Sequence, residues 1–204
     1  MKKIDRIRKH YVPRIKPGRA HHSILDWSGA DTQRARFQVL TKHVPLAGKT
    51  LLDVGCGLGD LAAFLRRKDI SVQYTGIDVV DEMLAHARQV NPEDRFMLAD
   101  VFDSNDETLA DEAFDVVFCS GTLNLNLGNN IEFISQSLPR MYAKAREYMA
   151  VNFLHKRTAY IDPTYFHYDP QEVLEVLNPL CGKENVLLID DYLPNDFTVI
   201  CTVT

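Results

Sequence analysis

The 204-residue chain has only four cysteines, Cys56, Cys119, Cys181 and Cys201, and no two are close in sequence. A Cys-x-x-Cys pair, with its zinc or redox chemistry, is therefore excluded, and no metal site is predicted. Cys56, Cys119 and Cys201 lie in apolar stretches, where a reduced thiol behaves as a small hydrophobe. Glycine and proline number ten and nine, too few for a collagen-like or low-complexity chain. No apolar run is long enough to cross a bilayer, so no membrane partner is expected. Residues 1–19 lack the apolar centre of a signal peptide. Together these absences predict a soluble, reducing, cytoplasmic protein.

What remains is ordinary in amount and uneven in placement. Hydrophobic residues make up 46% of the chain, enough for a real core without disulfide or metal staples. The formal net charge is −5. Residues 1–19 hold eight basic side chains, Lys2, Lys3, Arg6, Arg8, Lys9, Arg14, Lys16 and Arg19, against the single acid Asp5, for a local charge of +7. The other 15 bases and 27 acids leave the rest at −12. An acidic body argues against broad contact with a nucleic-acid backbone, and leaves the basic arm as the segment suited to it.

Pro13 and Pro17-Gly18 break any long helix in the arm, and residues 20–32 read as irregular. Helical spacing follows over 32–43, with Thr32 placed as an N-cap. From Lys49 strands alternate with helices. Short apolar runs at 50–54, 72–77, 96–98, 114–119 and 148–153 suit parallel strands buried on both faces. Helical spacing appears from Leu58, over 81–90 and over 131–145, the last with Asn129 as cap and Pro139 as a kink or break. Asp169-Pro170-Gln171-Glu172 places a cap, a first-turn proline and a reciprocal acid in the order that opens a helix. Strands at 186–189 and 197–203 are separated by too few residues for a parallel crossover, so they must be antiparallel. Five β–α units followed by this hairpin predict a doubly wound α/β sheet with helices on both faces. Ligands of such sheets bind beyond the carboxyl ends of the strands, which points to 53–59, Asp78, Asp100 and Ser120-Gly121.

The first of these ends reads Asp53-Val-Gly55-Cys56-Gly57-Leu-Gly59-Asp60. Alternate glycines permit a tight turn and close approach of a ligand to backbone. The next helix presents its free N–H groups there. The spacing is GxGxG, not the GxGxxG of dinucleotide folds, which disfavours a nicotinamide-dependent oxidoreductase. Asp53, two residues before the first glycine, is ill-placed beneath a pyrophosphate but welcome to an ammonium group. Asp78, 19 residues after Gly59, suits ribose hydroxyls, with N-cap as its structural alternative. Val79 belongs to the apolar wall and Met83 suits an adenine face. Asp100 is placed to accept from an adenine amine while the Val101 N–H reads the ring. Small residues at Ser120 and Gly121 leave room for a ligand.

Leu51-Leu-Asp-Val-Gly-Cys-Gly-Leu-Gly-Asp60, with Asp78, Ala99-Asp100-Val101 and Phe114-Asp-Val-Val-Phe-Cys119 following in order, resembles the motif series of class I S-adenosylmethionine-dependent methyltransferases. The resemblance covers about 45–203. It implies a Rossmann-like seven-stranded sheet in the order 3-2-1-4-5-7-6, mostly parallel with a reversed last strand. It implies S-adenosyl-L-methionine as cofactor and S-adenosyl-L-homocysteine as product. It assigns Gly55, Cys56, Gly57 and Gly59 to the methionine end, Asp53 to orienting that loop, Asp78 to both ribose hydroxyls, Asp100 and Val101 to adenine, and the backbone near Ser120 and Gly121 to the rest of the pocket. Residues 1–44 would form a basic arm and a helix covering the site, and 45–204 the cofactor-binding domain. Asp26-Trp27, Gln33, Arg36-Phe37 and 193–199 resemble a bacterial subset of such enzymes.

The cofactor's sulfonium already makes its methyl electrophilic, so no universal catalytic side chain is needed and none is assigned. His21, His22, His155 and His167 are weak candidates for a base. Asn124 and Asn152 suit substrate orientation, and Tyr11, Tyr160, Tyr165 and Tyr168 a substrate pocket. Arg36 suits a bidentate contact to the cofactor carboxylate, or else a solvated helix face. Ser120-Gly-Thr-Leu replaces the Asn/Asp-Pro-Pro-aromatic stretch of amino-methylating nucleic-acid enzymes, and no Pro-Cys pair serves a pyrimidine. The expected acceptor is therefore a small molecule. RNA or protein docked on the basic arm, and a non-catalytic cofactor-binding module, are the alternatives.

Overall fold

The computed structural model describes residues 3–159 and 161–204. Lys2 of the arm and Tyr160, a candidate for substrate lining, lie outside the described residues. Seven strands form one sheet in the order β3-β2-β1-β4-β5-β7-β6, the doubly wound arrangement implied by the sequence. The chain divides into two compact units, one ending at Asp100 and the other starting at Val101.

The first unit holds α1 (Lys3–Tyr11), α2 (His21–Ile24), α3 (Ala30–His43), β1 (Thr50–Val54), α4 (Asp60–Arg67), β2 (Gln73–Asp78), α5 (Asp81–Val90) and β3 (Arg95–Leu98). Its strands are parallel, with Asp53 opposite Gly76 and Asp78 opposite Leu98. Leu51, Leu52, Val54 and Ile77 are buried, as a strand covered on both faces requires. Leu61, Ala62, Phe64 and Leu65 bury one side of α4, and Met83, Leu84 and Ala87 one side of α5. The larger of these side chains, Leu61, Phe64, Leu65, Met83 and Leu84, contribute about 1.5–3 kcal/mol each on burial.

The second unit holds β4 (Phe114–Ser120), α6 (Asn130–Lys144), β5 (Ala145–Leu154), α7 (Pro170–Cys181), β6 (Val186–Ile189) and β7 (Asp196–Thr202). β4 and β5 are parallel, β7 runs antiparallel to β5, and β6 and β7 are antiparallel as the short 190–195 connection demands. Phe153 stacks on Phe197 at 5.3 Å between centroids and meets Tyr168 edge-on at 4.9 Å, closing the core at the carboxyl end of β5.

Several expectations need correction. Residues 99–113 form turns, so β3 and β4 are not joined through a helix and there are not five full β–α units. The segment 20–32 is not wholly irregular, since His21–Ile24 is a helical turn and α3 already starts at Ala30. Gly29, not Thr32, caps α3; the Thr32 hydroxyl donates back to the Gly29 carbonyl. Asn129 makes no side-chain cap bond, because its amide turns to the Glu132 carboxylate at 3.4 Å. Pro139 sits inside an unbroken α6, at the cost of one backbone donor. Asp169 forms the full capping box expected of it.

Candidate functional site

Backbone first ties the glycine turn after β1 to β2. The N–H groups of Gly55 and Cys56 both donate to the Ile77 carbonyl, at 2.8 and 2.9 Å. One side chain then clamps the rest. Asp78 Oδ2 accepts from the Gly57 N–H and Oδ1 from the Val80 N–H, each at 2.9 Å. Burial raises the Asp78 pKa, those amides oppose the shift, and the Asp100 charge adds to it. Each carboxylate oxygen keeps a second lone pair for a further donor.

Asp53 lies beneath the turn, buried on β1, and accepts from the Tyr74 hydroxyl at 2.6 Å. Burial pushes its pKa up to about 7 against the Tyr74 bond, helped by the charges of Asp78 and Asp60. Asp53, Asp60, Asp78 and Asp100 thus concentrate negative charge around one turn. Such a field favours a cation and opposes a pyrophosphate.

Two contacts escaped sequence reasoning. Asn91, fully buried after α5, donates to the Gly59 carbonyl at 3.2 Å and accepts from Arg66 at 3.3 Å. It also fixes Gly59: at φ +77°, a Cβ there would lie 2.7 Å from the Asn91 amide nitrogen. Asp60 opens α4 and accepts from His21 Nδ1 at 2.5 Å and Gln33 Nε2 at 3.0 Å. Burial works against the Asp60 charge, but these bonds outweigh it and hold its pKa low. The bond to Asp60 raises that of His21. Asp60 belongs to the glycine motif, yet only the fold reveals partners 39 and 27 residues upstream.

Of the residues expected around a cofactor, Asp53, Gly55, Cys56, Gly57, Gly59 and Asp78 share this turn. Asp100 is buried at its edge, paired with Lys3 Nζ at 2.8 Å. Met83 is buried in an apolar cluster with Ile24, Leu58 and Val80, against which Val79, Ile7, Tyr11, Val12, Ile15 and Leu25 pack. Arg36 is not on a solvated face. It is buried, its guanidinium 4.2 Å over the Trp27 ring and bonded to the Thr32 carbonyl at 2.8 Å. In the second unit Val101 is buried and Gly121 has φ +77°. The Ser120 hydroxyl donates to the Asn152 side-chain carbonyl at 3.4 Å. Asn152 in turn donates to the Tyr192 hydroxyl at 2.8 Å, the Asp196 carboxylate at 3.1 Å and the Phe197 carbonyl at 3.1 Å. Asn124, the other orienting candidate, is held by the end of β5 and the loop after it, with Leu154 N–H on its side chain at 3.1 Å and Phe166 N–H on its carbonyl at 2.7 Å. Burial lowers the pKa of both His155 and His167.

Comparison with known proteins places this arrangement. Residues 51–144, which contain the glycine turn, Asp78 and Asp100, match the methyltransferase domain family. Over these residues the chain is similar to class I S-adenosylmethionine-dependent methyltransferase domains. Over 129 residues the chain is 33% identical to trans-aconitate 2-methyltransferase of Delftia acidovorans, covering 59% of this chain and 46% of that protein. Over 95 residues it is 33% identical to the Escherichia coli SE11 protein of the same name, covering 46% of this chain and 36% of that one. The chain thus spans less than half the length of these curated relatives. The fold of the domain extends further. Magnesium protoporphyrin IX methyltransferase from Synechocystis PCC 6803, solved with S-adenosylmethionine, superposes with a TM-score of 0.64 at 16% identity, covering 98% of this chain and 90% of that one. A methyltransferase from Archaeoglobus fulgidus gives 0.67 at 17% identity, covering 89% and 97%. Among the described residues, no helix of the methyltransferase fold is long and apolar enough to cross a membrane.

Proposed function

We propose that the chain transfers a methyl group from S-adenosylmethionine to a small-molecule acceptor. The observation that carries this reading is the acid-rich, amide-clamped glycine turn, with Asp78 and Asp100 at its rim. The residues present fit the cofactor's chemistry. Asp78 has lone pairs left for the ribose hydroxyls after holding Gly57 and Val80. Asp53 and its neighbours favour the ammonium and sulfonium. Asp100 and the Val101 N–H suit adenine, and Val79, Met83, Ser120 and Gly121 complete the predicted set. Arg36, bonded to the Thr32 carbonyl and stacked on Trp27, has guanidinium donors suited to the cofactor carboxylate.

When bound, the cofactor supplies an electrophilic methyl group. The chain's part is to hold it in line with the acceptor and to exclude water. The names of the relatives, trans-aconitate 2-methyltransferase and magnesium protoporphyrin IX methyltransferase, specify small acceptors, in keeping with this reading. The placement of the basic arm also favours it over RNA or protein. Lys3, Arg8 and Arg14 are paired with Asp100, Glu82 and Asp26 of the chain's own body. Calorimetric titration with S-adenosylmethionine should show binding, and its absence would sink the proposal. A tritiated-methyl screen of acceptors in cell extract then separates the classes. Label in a small-molecule fraction supports the reading, label in RNA or protein overturns it, and no label with binding intact points to a non-catalytic module.

A further inference from the structure

Two of the positions assigned to the cofactor are touched by the N-terminal segment of the same chain, and the charge of a third reaches it. Lys3 Nζ holds Asp100 Oδ2 at 2.8 Å, the carboxylate expected to take the adenine amine. Tyr11, the last residue of α1, feels the Asp78 charge: burial raises the pKa of its phenol first, and Asp78 and Asp26 raise it further. Leu25 packs on the glycine turn so closely that a Cβ on Gly57 would lie 2.8 Å from its Cδ2. Between these points Ile7, Val12 and Ile15 lie on Leu58, Val80 and Met83.

No residue of α1 is fully buried. Its flank is fastened by the Arg8–Glu82 pair at 2.6 Å, with both side chains about two-fifths exposed, the kind of contact that contributes little and yields to salt. Beyond Ile15, residues Lys16 to Ala20 are all exposed. Gly18 stands there at φ +75°, with nothing within 4 Å of where its Cβ would be. On the far side of that bend, His21 is bonded to Asp60 and Leu25 is seated on the turn. A leaf with no fully buried residue in its helix, a bare bend and a firm anchor lie in sequence. Local opening of such a segment uncovers Leu58, Val80 and Met83 but breaks no strand pairing.

Resting on the cofactor reading above, we infer that residues 3–15 are a leaf closed over the cofactor crevice, hinged at 16–20, which must swing away to admit the cofactor, with the Lys3 ammonium competing with the adenine amine for Asp100.

The test compares association rates for S-adenosylhomocysteine by stopped flow. In R8C/E82C, a reducible bis-maleimide long enough to replace the Arg8–Glu82 side-chain pair pins the leaf. All four native cysteines are buried, which directs the reagent to the new pair. The pinned protein should bind at least about ten-fold more slowly, and reduction of the linker should restore the rate. Independently, K3M should raise the association rate several-fold, since it removes the competitor and leaves Asp100 in place. Equal rates for pinned and released protein, or slower association in K3M, overturn the gate and leave the cofactor assignment standing. No binding to the unlinked protein overturns the cofactor assignment, and the gate with it.

Discussion

Asp78 joins two roles that its position in the sequence does not separate. An acid at the mouth of a β–α turn reads as a ligand group that a mutation would remove without harm to the fold. In the structure it is buried and carries the amides of Gly57 and Val80. Asp78→Ala should therefore lose ribose contacts worth about 1–3 kcal/mol, roughly 10- to 150-fold in cofactor affinity. It should also lower the melting temperature of the cofactor-free protein, because two buried N–H groups lose their acceptor. Calorimetry and thermal melting on the same sample check both. Asp53 makes a pH prediction. Its folded pKa, about 7, lies above the unfolded carboxylate value, so folding favours its protonated form. Its contribution to stability is full below about pH 4 and is lost as pH rises through about 7. Asp53→Asn should gain stability relative to wild type between pH 5 and pH 8, seen as a shift in urea midpoint. An unchanged difference across that range would contradict the shift. The glycine turn, Asp78 and Asp100 were legible as residues because their spacing is local. Asp60 with His21 and Gln33, and Asn91 beneath Gly59, were not, because each pair is made by tertiary packing.

Among the elements, strands were legible and helix starts only partly so. Runs such as 50–54 and 186–189 carry their own burial signal in continuous apolar residues. A cap depends on where the side chain turns, which sequence offers only as an option. Asp169 satisfies both halves of its box, with the Gln171 N–H on its carboxylate at 2.9 Å and Glu172 reaching back to its own N–H at 3.3 Å. Asn129 has the right residue type and makes neither bond. Asp169→Ala should lower the thermal midpoint clearly more than Asn129→Ala, which should lie close to wild type. Pro139 predicts a kink or a break because its ring lacks a donor and clashes with the preceding turn in a helix interior. Tertiary packing overrides this, with Ile134, Leu138 and Met141 all buried along the same face.

At the level of the whole molecule, the charge asymmetry turns inward. Lys3, Arg8 and Arg14 of the +7 arm find partners within the first unit. The Arg8–Glu82 pair is exposed, and such a pair is screened at high ionic strength. Hydrogen exchange of the α1 amides should therefore quicken in about 1 M salt, while amides of β1 and β2 keep their protection. Equal exchange in low and high salt would show that the apolar contacts of Ile7 and Tyr11 hold α1 unaided. The doubly wound sheet was readable from the alternation of periods and the short final hairpin. Its strand order came through the family resemblance, since order along a sheet is set by long-range pairing that no local pattern encodes.

The four thiols have a practical meaning of their own. Every one is buried, Cys56 in the first unit and Cys119, Cys181 and Cys201 in the second. Burial also lifts the Cys56 thiol well above its ordinary pKa, so it is unreactive where it lies. A thiol reagent added to the native protein therefore waits for each unit to open. Cys56 is a stopwatch for the half that carries the glycine turn, and the other three time the half that carries the reversed strand. Mass spectrometry of the labelled peptides would show whether the two halves come apart on one clock or on two.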